Sequence, residues 1–385
     1  MTVRPVRMIP PVLVAAATVA ALATPAAAAD SSRAPSGQHA RTQQALEAAV
    51  AEGVPGALAQ AARTGRPVWN GDAGVADRTT GRERRSGDSF RVGSITKTFV
   101  ATVILQLEAE GRLSLDDTVE RWLPGLVRGN GNDGRAITLR QLLNHTSGLY
   151  NYTEDPGFVA KTFGPGFFEH RYDTYTPRAL VRLATGHRPD FAPGADWKYS
   201  NTNFILAGLV IEKATGHPYG TEVERRILRP LGLHGTSVPG TRVSMPRPSG
   251  RAYSVLVGPQ PNDTVHDVTE LNPSAAGSAG EMISTTGDLN RFYRALLAGR
   301  LLPKEQLKKM TTTLPTDEDS PNLRYGLGLM AMKLSCGKEV WGHGGGIHGS
   351  ASGAVATRDG GHALALNFNS DWAGDSAAVM EAEFC

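Results

Sequence analysis

The stretch Arg91-Val92-Gly93-Ser94-Ile95-Thr96-Lys97 leads into the clearest helical period of the chain, with Phe99, Val100, Val103, Ile104 and Leu107 recurring until Gly111 ends the run. Ala101, Leu105 and Ala109 make further faces apolar, so this helix is expected to be buried on most sides. Ser94 stands at its start and Lys97 three residues on, which places both on one face. A serine hydroxyl is a weak nucleophile that needs an adjacent base, and a lysine serves as one when burial lowers its pKa. The helix N-terminus adds backbone N–H groups that can hold an oxyanion. S-x-x-K alone is a weak signal. It recurs at Ser335–Lys338, where Cys336, Gly337 and strand-like surroundings offer no helix, and chance or capping accounts for most single matches.

Upstream of this stretch, residues 38–52 read as a helix, and residues 54–75 alternate apolar and polar around Gly and Asn turns as a hairpin. The middle holds helical segments at 137–145, 178–185, 202–215 and 287–298, separated by long loops rich in Gly, Pro and Asn. Beyond 320 strand-like patterns return at 325–332, 339–341, 352–357 and 362–368, with a helix expected over 374–384. The expected fold class is α/β in the α+β sense: an antiparallel sheet flanked by helices and built from both chain ends. The sheet part covers about 38–110 and 290–385, and a mostly helical part at about 111–289 is inserted between. No repeat at solenoid spacing is present.

The chain has 385 residues and a formal charge of +3, with 40 Lys and Arg against 37 Asp and Glu evenly spread, so neither nucleic acid nor an anionic membrane is an expected partner. Arg4 and Arg7, an apolar Ala-rich stretch from Met8 to Ala23, and Ala27-Ala28-Ala29 read as a secretory signal peptide over residues 1–29. The apolar core is shorter than a membrane span of about 20 residues, so a permanent anchor is the weaker reading. Residues 30–385 would then form the exported hydrolase domain. In an oxidising compartment Cys336 and Cys385 are expected to pair, although two buried thiols are the alternative.

Two further patterns change the weight of Ser94 and Lys97. Tyr199-Ser200-Asn201 is the only Y-x-N in the chain and His343-Gly344-Gly345 the only H-x-G. With "HTSGL" at His145–Leu149 and "YSNTNF" at Tyr199–Phe204, the segments resemble, from about residue 40 to the C-terminus, the serine penicillin-recognising family. Its members include class C β-lactamases, D-alanyl-D-alanine carboxypeptidases and related esterases and aminopeptidases. The likeness is strongest to secreted actinomycete D-alanyl-D-alanine carboxypeptidases, whose "FRVGS", "SGLY", "YSNTNF", "IEK-TGH", "YGLGL" and "LSCG" have counterparts at Phe90, Ser147, Tyr199, Ile211, Tyr325 and Leu334.

The resemblance implies that Ser94 is acylated, Lys97 is its base, Tyr199 relays a proton to the leaving group, and Asn201 holds Lys97 and the substrate carbonyl. A phenol beside an ammonium is expected to have a lowered pKa. His343 with Gly344, Gly345 and Gly346 would form the substrate-binding strand edge, and the N–H groups of Ser94 and Gly346 the oxyanion hole. His145 reads as structural. A metal pair of His343 and His348 is disfavoured by its spacing and the lack of a nearby carboxylate, and no metal or cofactor is expected. G-x-S-x-G is absent, which removes the α/β-hydrolase reading. Arg82, Arg84 and Arg85 read as a solvated loop.

The sequence departs from the carboxypeptidase pattern where a substrate carboxylate would be held. Gly344 stands in place of a Thr or Ser, and Met330 where the carboxypeptidases have an arginine; Arg324 or Lys333 could supply the missing cation. The expected function is an exported serine hydrolase, D-alanyl-D-alanine carboxypeptidase-like, acting on peptidoglycan peptides. The alternatives are a β-lactamase, an esterase or a D-amino-acid peptidase of the same fold, with small peptide, β-lactam or ester substrates. A non-catalytic wall-binding or sensor protein is the reading from another class.

Overall fold

The computed structural model describes residues 37, 39–256, 264–316 and 320–385; the expected signal peptide lies outside them. Nine antiparallel strands form the main sheet: β1 (Gly56–Arg63), β2 (Trp69–Asp77), β3 (Arg82–Glu83), β4 (Leu314–Pro315), β5 (Leu323–Tyr325), β6 (Met330–Lys333), β7 (Glu339–Ile347), β8 (Ser350–Ala356) and β9 (His362–Phe368). Their spatial order is β4-β5-β6-β7-β8-β9-β1-β2-β3. The two chain ends meet where β1 pairs with β9, from Ala57 opposite Phe368 to Arg63 opposite His362.

Both faces of the sheet are covered, and the two-residue side-chain period shows how. Leu364, Leu366 and Phe368 of β9 face the helices Ala40–Ala51 and Ser376–Phe384, meeting Leu46, Val379 and Phe384. Ala363 and Ala365 belong to the opposite core with Ala354 and Ala356 of β8. These small side chains let the helix Thr286–Leu297 lie close to the sheet through Leu289, Phe292 and Leu296. The two ends of the chain are also tied through Glu383, which accepts hydrogen bonds from Thr42 Oγ1 at 2.7 Å, His39 Nδ1 at 2.9 Å and His362 Nε2 at 2.7 Å.

The helix Thr96–Ala109 is buried at every residue from Thr96 to Leu105, as its all-round apolar pattern predicts. Phe99 stacks on Phe292 with ring centroids 3.7 Å apart. The helices Asn201–Thr215 and Lys304–Met310 pack around it. Among the described residues no helix is long and apolar enough to cross a membrane.

The pattern at 325–332 is a hairpin rather than one strand. Gly328 adopts a φ of 66°, and a Cβ on Gly326 would lie 2.1 Å from the Met310 carbonyl oxygen. A close approach and a left-handed turn, both possible only for glycine, break the run. The strand at 339–341 extends to Ile347, because its glycine-rich half pairs with β8 as regularly as its apolar half. Arg84 is not solvated. It is 2% exposed, donates from Nη2 to Asn367 Oδ1 at 2.8 Å, and lies 4.0 Å from the buried Asp88 carboxylate. Cys336 and Cys385 form the expected disulfide, joining the turn before β7 to the last helix.

Candidate active site

Ser94 sits in a single 3-10 turn, Gly93–Ile95, immediately before the Thr96–Ala109 helix. Gly93 has a φ of 52°, and a Cβ on it would lie 2.7 Å from Gly346 N. A Cβ on Gly345 would lie 1.9 Å from the Val92 carbonyl oxygen. The glycines of "GHGGG" therefore let the edge of β7 lie directly against the backbone that carries Ser94. Ser350 Oγ and Ser352 Oγ of β8 fasten the same segment by donating to the carbonyls of Arg91 at 2.7 Å and Val92 at 3.1 Å. Ser94 and Gly346 consequently line one cavity.

Lys97 is fully buried, and its Nζ has three neighbours: Ser94 Oγ at 2.9 Å, Asn201 Oδ1 at 2.7 Å and the Ala279 carbonyl at 2.7 Å. Burial with no carboxylate partner holds its pKa well below the usual lysine value. A neutral amine has two N–H groups and one lone pair. Asn201 Oδ1 and Ala279 O can only accept, so they take both N–H groups and leave the lone pair for the Ser94 hydroxyl. This arrangement can remove a proton from Ser94.

Asn201 begins the Asn201–Thr215 helix and is held by its own contacts, with Nδ2 donating to Thr153 Oγ1 at 3.2 Å and its backbone N–H to Asn151 Oδ1 at 3.1 Å. The Tyr199 ring lies 4.8 Å from Lys97 Nζ. Its hydroxyl is buried without a hydrogen-bond partner among the described residues. Burial raises the Tyr199 pKa, with the Ser94 hydroxyl a smaller opposing influence. The expected lowering does not occur, because burial of the phenol itself penalises the phenolate more than the Ser94 hydroxyl favours it. Tyr199 is thus a neutral phenol that can give up a proton only to a strong base, such as a departing amine.

His343 lies on β7 as expected but is 2% exposed, with Nε2 3.0 Å from Tyr325 Oη and Nδ1 2.5 Å from the Gly344 carbonyl. Burial lowers its pKa to about 3, so the ring is neutral. It does not line the cavity. His348 does, stacked between Phe163 and Phe167 and bonded to the Thr162 carbonyl. Met330 is opposite Gly342 on the neighbouring strand. Arg324 is committed elsewhere, donating from Nε and Nη2 to Thr313 Oγ1 and O at 3.0 and 2.9 Å, and Lys333 pairs in register with Glu339.

The cavity beside Ser94 has a volume of about 110 Å³ and aromatic walls from Tyr152, Phe158, Phe163, Phe167 and Tyr175. Two contributors escaped the sequence reading. The Ala279 carbonyl carries no side-chain signal at all. Thr153 follows "SGLY" closely enough that the segment pointed to its neighbourhood without naming it.

Comparison with known proteins places the chain in a family. Residues 42–382 match the Beta-lactamase family. The chain is similar to a D-stereospecific amidohydrolase from Streptomyces sp., at 67% identity and a TM-score of 0.86 over 90% of this chain and 98% of that one. It is similar to the D-amino acid amidase from Ochrobactrum anthropi SV3 solved with L-phenylalanine amide, at 30% identity and a TM-score of 0.75 over 89% and 97% of the two chains. It is 28% identical over 301 residues to a penicillin-binding protein of Bacillus subtilis, which covers 75% of this chain and 62% of that protein, so the chain spans less than two thirds of that relative's length. The chain belongs to the beta-lactamase family and is a serine hydrolase of the β-lactamase/transpeptidase fold.

Proposed function

We propose that the protein is a D-amino-acid amidohydrolase: it cleaves amides, esters or short peptides of D-amino acids whose leaving group carries no negative charge. Ser94 Oγ attacks the acyl carbon and passes its proton to Lys97 Nζ. The N–H groups of Ser94 and Gly346 hold the oxyanion. As the C–N bond breaks, the departing amine takes the Tyr199 proton, and Lys97 returns one to Tyr199. Water then attacks the acyl-enzyme, again losing its proton to Lys97, and Ser94 is regenerated. The aromatic cavity receives the acyl-side chain.

The observation that carries this reading is that none of His343, Gly344, Met330 and Arg324 offers a free cation where a substrate carboxylate would be held. His343 is buried and neutral, Gly344 has no hydroxyl, Met330 is apolar, and Arg324 is bound to Thr313. A D-alanyl-D-alanine carboxypeptidase needs to hold a carboxylate there, and a charge-assisted hydrogen bond to it is worth about 1.5–3 kcal/mol. The similarity to a D-stereospecific amidohydrolase and a D-amino acid amidase supports the choice of D-acyl amides. Export through the N-terminal 29 residues remains part of the proposal.

The test is kcat/KM for D-phenylalanine amide, its L-enantiomer, and a D-alanyl-D-alanine peptide as free acid and as C-terminal amide. The D-amide is expected to exceed its enantiomer, and the peptide amide to exceed the free acid by about 10- to 100-fold. A preference for the free acid of about 100-fold would restore the carboxypeptidase reading.

A further inference from the structure

Behind the catalytic face runs a hydrogen-bonded chain whose proton positions are fixed at both ends. At one end the Ser200 backbone N–H donates to His145 Nδ1 at 3.1 Å, and Asn203 Nδ2 reaches the same nitrogen at 3.1 Å. His145 Nε2 lies 3.2 Å from Tyr325 Oη, which lies 3.0 Å from His343 Nε2. At the other end His343 Nδ1 lies 2.5 Å from the Gly344 carbonyl. His145 and Tyr325 are wholly buried and His343 is 2% exposed, so water does not compete for these bonds.

A backbone N–H only donates and a carbonyl only accepts. His145 Nδ1 must therefore be bare and its Nε2 protonated, so that Nε2–H donates to Tyr325 Oη. The tyrosine has one proton and gives it to His343 Nε2, which leaves the His343 proton on Nδ1, donated to Gly344 O. One assignment satisfies every group: two neutral histidines in opposite tautomers, all protons pointing from Ser200 towards Gly344. Asn203 is fixed in the same sense, because its Oδ1 accepts from Ser147 Oγ at 2.6 Å.

The two ends of this chain are the two halves of the active site. Ser200 lies between Tyr199 and Asn201, and Gly344 opens the glycine edge that ends at Gly346. The His145 ring also packs 4.3 Å from the Tyr199 ring, centroid to centroid. We propose that His145, Tyr325 and His343 form a one-way strut that fixes the Tyr199–Asn201 segment relative to the Gly344–Gly346 edge, and that all three are positioning residues. His343 then acts through the Gly344 peptide group and not by touching substrate. Losing one proton from the middle of the strut leaves two buried nitrogens facing each other without a shared partner, and the Gly344 peptide free to turn.

The tautomers can be read directly from nitrogen shifts of the protein labelled with 15N-histidine, without any substrate. At about pH 7 His145 should be protonated on Nε2 and His343 on Nδ1, both neutral. Tyr325→Phe should leave His343 as a mixture of tautomers and lower kcat roughly 10- to 100-fold, the scale of a small misplacement of catalytic groups, with KM within about threefold. His145→Gln, which can still donate to Tyr325, should retain the His343 tautomer. Finding both wild-type histidines in the same tautomer, or either one charged at neutral pH, would overturn the proposal even if the variants failed to fold. So would a Tyr325→Phe protein with undiminished kcat.

Discussion

Gly345 and Val92 meet backbone to backbone, so closely that a Cβ on Gly345 would lie 1.9 Å from the Val92 carbonyl oxygen. That contact sets the distance between the strand edge and Ser94. Gly345→Ala should push β7 away from the 3-10 turn and lower kcat/KM by roughly 100-fold. The accompanying overpacking should cost about 1–3 kcal/mol. Steady-state kinetics with a thermal melt of the same preparation checks both; wild-type activity would mean that the edge is not held by this contact.

In the proposed mechanism Lys97 acts as a free base, and burial keeps its pKa below the usual lysine range. The rate of acylation should therefore rise with pH through that lowered pKa and then level off, since the free base is the active form. Lys97→Ala and Tyr199→Phe should each slow acylation by about 100-fold or more. Stopped-flow acylation across pH separates the two, because only the Lys97 variant should also lose the acid limb.

Glu383 ties the first and last helices through Thr42, His39 and His362, with its side chain 2% exposed. Burial raises its pKa, but the hydrogen bonds from His362, His39 and Thr42 outweigh it, and the net value lies below the usual 4.5. A carboxyl with a depressed folded-state pKa contributes stability that is present above its unfolded value and is lost as pH falls through the folded one. Glu383→Gln should cost roughly 1–3 kcal/mol at neutral pH and flatten the decline of stability below about pH 4.5. Denaturant melts at neutral and acidic pH measure this; an unchanged acid slope would show that the tie contributes nothing.

The disulfide between Cys336 and Cys385 spans a sequence separation of 49 residues and lies away from Ser94, between the turn before β7 and the last helix. Replacing both cysteines with serine should lower stability by about 2–4 kcal/mol while leaving kcat/KM within about twofold. A larger loss of activity would mean that the C-terminal helix helps shape the site.

Residue type and order carried much of the fold. The apolar period after Ser94 marked a buried helix, and the alternation at 362–368 coincides with β9. That both chain ends build one sheet was legible because strand-like text is concentrated there, whereas the pairing of β1 with β9 is seen only in the structure. Features that depend on neighbours distant in sequence were not. Gly326 breaks a strand because Met310 passes beside it, and Arg84 is buried because Asn367 and Asp88 wait for it. Ser94, Lys97, Tyr199 and Asn201 were legible as a set, and the structure brings Lys97 Nζ within reach of Ser94 and Asn201. The surroundings that decide their charge were not legible. A phenol near a lysine suggests a lowered pKa, but burial of the phenol itself raises it instead. His343 reads as a site residue from "GHGGG", and only its distances to Tyr325 and Gly344 turn it inward.

The central claim is a covalent acyl-enzyme on Ser94, and intact-mass spectrometry with peptide mapping tests it most directly. After brief incubation with a D-aminoacyl ester and an acid quench, the protein should gain the mass of one acyl group, located on the peptide containing Ser94. The Ser94→Ala protein should gain none. An adduct on Ser335 or another residue, or turnover by Ser94→Ala at the wild-type rate, would contradict the account.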